Sequence, residues 1–121
     1  MKQWLLMTVT AAAVTALVTV AVDQRAFAAD APVSPADALS IARKNACMGC
    51  HAVDRKLVGP SFQQIAAKYK GDVKAPGRLE TKVRDGGSGV WGMLPMPSHR
   101  SMDPADITKV VGWILAGSPS K

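Results

Sequence analysis

The stretch that most constrains this chain is Cys47-Met48-Gly49-Cys50-His51, which sets two thiols and an imidazole within five residues. On a helical turn, positions three and four apart share a face, so Cys47, Cys50 and His51 can all point the same way. The thiols can then add across the two vinyl groups of one porphyrin while the imidazole approaches the iron from that side. In an exported chain, this is what Cys-x-x-Cys-His stands for. Gly49 is expected to remove a side chain where the backbone passes close to the macrocycle. Rival uses of the cysteines fit less well. A thioredoxin-like dithiol opens a helix after a strand, whereas the residues before Cys47 carry a helical pattern. A zinc site wants a fourth ligand in tetrahedral geometry, and outside the motif only His99 remains. A bare disulfide is the blandest alternative. The motif predicts one haem c, covalently bound through Cys47 and Cys50, with His51 as an iron ligand.

The N-terminus reads as an export signal. Met1-Lys2-Gln3-Trp4 supplies a positive start, Leu5 to Val22 is uncharged and mostly apolar, and Ala26-Phe27-Ala28 follows as a small-x-small cleavage pattern. The apolar run reaches the lower bound for a membrane span, so an uncleaved anchor is the alternative, but four threonines dilute it. The expected division is residues 1–28 as signal peptide and 29–121 as one domain, in the periplasm and without stable membrane insertion. The 93 residues that remain make a small domain, which buries only about 60–65% of its unfolded surface. A covalently held porphyrin would supply the apolar centre that Phe62, Tyr69, Trp91 and Trp113 are too few to build. The same residues carry a net charge of +5, which two ionised propionates would bring to about +3. No nucleic-acid motif or aromatic stacking platform accompanies that charge, so nucleic acid is not an expected partner.

The domain reads as all-α, with about four short helices wrapped around the haem. Ser34-Pro35-Ala36-Asp37 is a helix start, with a serine cap, a proline in the first position and an acid in the first turn. That helix is expected to run to about Cys50, with Ala38, Ile41, Ala42 and Ala46 as a small apolar face. Val53 to Ser61 is a loop punctuated by Gly59-Pro60. Short helices are expected over Phe62 to Lys70 and Arg78 to Arg84. The run Gly86-Gly87-Ser88-Gly89 lacks the strand and the Lys-Ser/Thr ending of a phosphate loop and reads as a flexible connection. Asp103 caps the last helix, Pro104 begins it, and Ile107, Val110, Val111, Ile114 and Leu115 form its apolar stripe up to Gly117. Gly112 could permit a close crossing with the first helix.

One histidine leaves the sixth iron position to be settled among Met93, Met96, Met102, His99 and no ligand. Pro95-Met96-Pro97 stands out, because prolines on both sides restrict the backbone to extended shapes. Holding a weak thioether ligand in place beforehand lowers the entropy lost on coordination. Met96 is therefore the expected ligand, and a lone methionine as core filler is the bland alternative. Methionine opposite histidine raises the reduction potential and closes the iron to oxygen and substrates. That suits electron transfer and argues against an enzyme.

Beyond these readings, the chain resembles the class I c-type cytochromes, in particular the short bacterial mono-haem carriers. The residues that carry the resemblance are Cys47 to His51, Val58-Gly59-Pro60 and Gly89-Val90-Trp91-Gly92-Met93-Leu94-Pro95-Met96-Pro97. The resemblance implies that Pro60 offers its carbonyl to the ring N–H of His51, which orients the ring and raises its basicity. It also implies that Trp91 hydrogen-bonds a haem propionate and that Lys82 does likewise. His99 departs from the pattern, standing where related carriers commonly have asparagine. The implied function is that of a soluble, monomeric, periplasmic single-electron shuttle. Its donor would be a quinol-oxidising complex or a dehydrogenase, and its acceptor a terminal oxidase or nitrite reductase. A haem subunit of a fixed oxidoreductase complex is one alternative, and a haem sensor or enzyme with a displaceable sixth ligand is another. Docking would use the haem edge, with Met48, Val58 and Leu94 as an apolar patch rimmed by Lys44, Arg55 and Lys56.

Overall fold

The computed structural model describes residues 32–121, and the expected signal segment, residues 1–28, lies outside the described residues. Helix α1 spans Pro35–Lys44, α2 Phe62–Lys68, α3 Ala75–Asp85 and α4 Pro104–Leu115, with a 3-10 turn at Cys47–Gly49. The fold is all-α, as the patterning implied.

The helix starts form for local reasons. Ser34 Oγ accepts the Asp37 N–H at the head of α1, and Asp103 Oδ1 accepts the Ala105 N–H at the head of α4; each relieves a donor that the first helical turn leaves unpaired. At α2 the device is a full capping box. Ser61 Oγ accepts the Gln64 N–H, and the Gln64 side chain returns to accept the Ser61 N–H.

Two boundaries differ from expectation by three residues or more, whereas α2 ends two residues early and α3 one residue late. The first helix does not run to Cys50. The Asn45 side chain and its backbone N–H both turn onto the carbonyl of Ile41, and Ala46 follows in the left-handed region at φ 60°. Ala46 is therefore exposed and outside the helix rather than on its apolar face. The third helix begins three residues before Arg78, because Asp72 organises the turn ahead of it. Its side chain accepts the Lys74 N–H and its carbonyl the Ala75 N–H, with Pro76 in the first helical turn. Gly77 is tolerated inside a helix so nucleated.

Helix α4 is the centre, packing against α1, α2 and α3. Ile107, Val110, Val111, Trp113 and Ile114 are buried on it, against Ala38 and Ala42 of α1 and Phe62 and Ile65 of α2. Ala38 and Ala42 are wholly buried, so the small residues that let the helices approach belong to α1. Gly112, expected at that crossing, is exposed instead. Only Ala75 of α3 is buried in protein; Leu79 and Val83 are partly covered. Among the described residues the one extended pairing is a bridge between Gly87 and Met96, so the glycine run is not a free connection.

Candidate functional site: an apolar cavity over α4

A cavity of about 470 Å³ opens between the Cys47–Pro60 segment, α2, α3 and residues 87–97, with Val110, Val111 and Ile114 of α4 among its walls. Its lining includes Cys47, Cys50, His51, Pro60, Lys82, Trp91 and Met96. The seven residues singled out from sequence thus border one space.

The 3-10 turn carries the near wall. Cys50 and His51 both donate their backbone N–H to the carbonyl of Cys47, which curls the motif until Cys47, Cys50 and His51 all border the cavity. The cysteines are free and partly buried. Burial pushes the Cys47 thiol above its ordinary value, and a backbone hydrogen bond offsets part of that rise. Among the described residues no cluster of three or more His, Cys, Asp or Glu side chains is arranged to hold a metal ion.

His51 is buried, and its Nδ1 lies 2.6 Å from the carbonyl oxygen of Pro60. A carbonyl only accepts, so Nδ1 is the donor, and in the neutral ring Nε2 is the nitrogen with the free lone pair. One face of the ring stacks on Phe62 at 5.5 Å, and Phe62 in turn meets Trp113 edge-on. Gly59 closes the arrangement: a Cβ there would stand 2.7 Å from His51 Cε1. Sequence reasoning took Gly59 for loop punctuation. Its requirement is steric and comes from a side chain eight residues away.

Of the four candidates for the second ligand, Met96 alone lines the cavity. Met93 is 89% exposed and Met102 is packed in the core. His99 is half-buried, with a buried Nδ1 that has no protein partner. Trp91 lies at the mouth with Lys68 Nζ 5.3 Å from its ring centroid, a cation–π contact that the sequence did not suggest. Of the expected docking patch, Val58 and Leu94 are exposed and border the cavity. Met48 instead packs partly against the core, and Leu57, Val90 and Met93 join the exposed apolar residues.

Gly49 is exposed and is not part of the cavity wall. Close approaches between protein groups are made instead by Gly59 against His51 and by Gly86 against the backbone of Met96 to Ser98; the approach of Gly49 to the macrocycle is a separate expectation.

Comparison with known proteins places this geometry. The family pattern described as Cytochrome c matches residues 36–118. Cytochrome c-551 of Allochromatium vinosum is 47% identical over 85 residues, covering 70% of this chain and 89% of that protein. The crystal structure of wild-type Nitrosomonas europaea cytochrome c552 superposes with a TM-score of 0.62 at 42% identity, covering 64% of this chain and 96% of that one. The class 1 cytochrome MtoD of Sideroxydans lithotrophicus ES-1 gives 0.63 at 31% identity, covering 72% and 99%.

Proposed function

The chain belongs to the cytochrome c family and carries covalently bound haem c with its iron, and from that premise we propose that it is a periplasmic single-electron carrier with His51 and Met96 as the iron ligands. Cys47 and Cys50 are the thioether attachment points. One observation carries the reading: Cys47, Cys50, His51 and Met96 border a single cavity, while the Pro60 carbonyl occupies Nδ1 of His51 and not Nε2.

The donor set fits the group. Cys47 and Cys50 border a largely apolar space, which suits the faces of a porphyrin, and the buried imidazole of His51 beside them has its second nitrogen already satisfied. When bound, the haem iron takes up and releases one electron, with nitrogen and thioether ligation favouring the ferrous state. The Pro60 carbonyl orients His51 and raises its basicity. Trp91 and Lys82, both on the cavity wall, offer an indole N–H and an ammonium to the propionates, where charge-assisted bonds are strongest. Met96 bound to the iron would close it to exogenous ligands, which suits electron transfer rather than catalysis at the iron.

The carrier acts with redox partner proteins. It takes electrons from a quinol-oxidising complex or a dehydrogenase and passes them to a terminal oxidase or a nitrite reductase. Residues 1–28 direct export and are removed, and residues 29–121 form the working monomer. No described helix is long and apolar enough to cross a membrane.

Mass spectrometry of the protein from a haem-attaching host should show the mass of residues 29–121 plus one haem; a bare polypeptide mass sinks the reading. Met96→Ala tests the second ligand. Haem should stay attached, the sulfur-to-iron band in the red should vanish, carbon monoxide should bind the reduced form and the potential should fall. Retention of the red band would move the assignment away from Met96.

A further inference from the structure

From the contact between the end of α3 and the Met96 segment, we infer that Gly86 is a positioning residue for the Met96 thioether; this rests on the reading of Met96 as the second iron ligand. The chain leaves α3 through Gly86 at φ 72° and ψ −156°, a backbone conformation essentially closed to residues with a Cβ. The reason for that conformation lies across the gap. A Cβ on Gly86 would stand 2.5 Å from the carbonyl oxygen of Met96, 2.8 Å from the amide nitrogen of Ser98 and 2.9 Å from the carbonyl carbon of Pro97. All three are main-chain atoms, so no flexible side-chain end can move aside.

The close approach is used by the neighbouring residues. The Met96 N–H donates to the Gly87 carbonyl at 3.0 Å, and the Gly87 N–H donates to the Met96 carbonyl at 2.9 Å. Three residues on, the His99 N–H donates to the carbonyls of Val83 at 3.1 Å and Arg84 at 3.2 Å, at the end of α3. Met96 is thus fastened by its own backbone groups, and again at His99, to the helix whose Leu79, Lys82 and Val83 line the cavity. Pro95 and Pro97 have no N–H, so shifting the register of this pairing by one residue would lose its donor. Gly86 sets the distance at which the latch closes. A latch that fixes the backbone of Met96 beforehand lowers the entropy lost when its sulfur coordinates.

The test compares holo Gly86→Ala with holo Gly71→Ala. Gly71 also has a positive φ, 78°, but a Cβ there meets nothing within 4 Å, so it carries backbone strain without the contact. In Gly86→Ala the red sulfur-to-iron band should weaken. The apparent affinity of the ferric protein for added imidazole should rise about tenfold, because it scales with the fraction of molecules whose sixth site is open. Gly71→Ala should match the unmodified protein in both. In the unmodified protein, the amides of Gly87, Met96 and His99 should exchange with solvent at one common opening rate; this measurement decides the matter if Gly86→Ala does not accumulate. Equal imidazole affinity in the two variants, or unrelated exchange rates at Gly87 and Met96, overturns the latch and leaves the ligand assignment standing. An unmodified protein without the red band, or Met96→Ala retaining it, overturns the ligand assignment and the latch together.

Discussion

The imidazole of His51 has Nδ1 committed to Pro60, one face on Phe62, and Gly59 close against the ring. Each contact removes a freedom that a metal ligand on a flexible side chain would otherwise lose on binding. The tightest of them is steric, and substitution there is the sharpest probe. Gly59→Ala drives a methyl into the ring at 2.7 Å, and either the ring tilts off Pro60 or the loop moves. Overpacking of this kind costs about 1–3 kcal/mol. Denaturant unfolding of the holo variant should therefore show that loss, together with a shifted potential as the Pro60 hydrogen bond is bent. An alanine variant with unchanged stability and potential would mean that the backbone at position 59 yields freely and does not constrain the ligand.

Among the elements, α4 divides its apolar stripe between two tasks. Val110, Val111 and Ile114 reach the cavity, whereas Ile107 is buried and lies outside its lining. Ile107→Ala should therefore cost about 2–5 kcal/mol as a cavity in protein core, while the red band and the potential stay put. Thermal unfolding with the visible spectrum separates the two; a spectral change would show that the packing of α4 is transmitted to the iron. The same division explains what could be read in advance. Ser34-Pro35, Asp103-Pro104 and the cysteine motif act through residues a few positions apart, so the helix starts and the near wall were legible in the sequence. The break after Lys44 was not, because it is made by Asn45 folding onto Ile41 and by a left-handed alanine, with no glycine or proline to announce it. In sequence alone Gly86 and Gly87 look like a loose connection for a related cause: their partner, Met96, lies beyond the intervening turn and meets them only when folded.

For the molecule as a whole, surface charge and interior bear on different predictions. Lys44, Arg55 and Lys56 are exposed on the segment that carries Cys47, His51 and Val58, so association with an acidic partner should slow as salt is added, and stopped-flow rates independent of ionic strength would exclude steering by this rim. The interior raises the larger question of whether the fold exists without its cofactor. Helix α3 buries only Ala75 fully in protein, and its Leu79 and Val83, partly covered by the core, also line the cavity, so much of its apolar face is only half-covered by protein. Leaving about 470 Å³ unfilled, at about 24 cal/mol per Å³, costs on the order of 10 kcal/mol. This is an upper bound, because the cavity opens to solvent at its mouth. Even so, it matches the entire stability expected of a domain this size, about 5–15 kcal/mol. The haem-free chain, made by expressing residues 29–121 without attachment machinery, should therefore lack a cooperative transition in calorimetry and show reduced helicity by circular dichroism. Amides of α3 and residues 87–97 should be the least protected, because those segments face the cavity. The crossing of α1 with α4, closed by Ala38 and Ala42, should keep the most. A cooperative, native-like apo form would mean that the packing of α3 against α4 holds the helix in place without the haem.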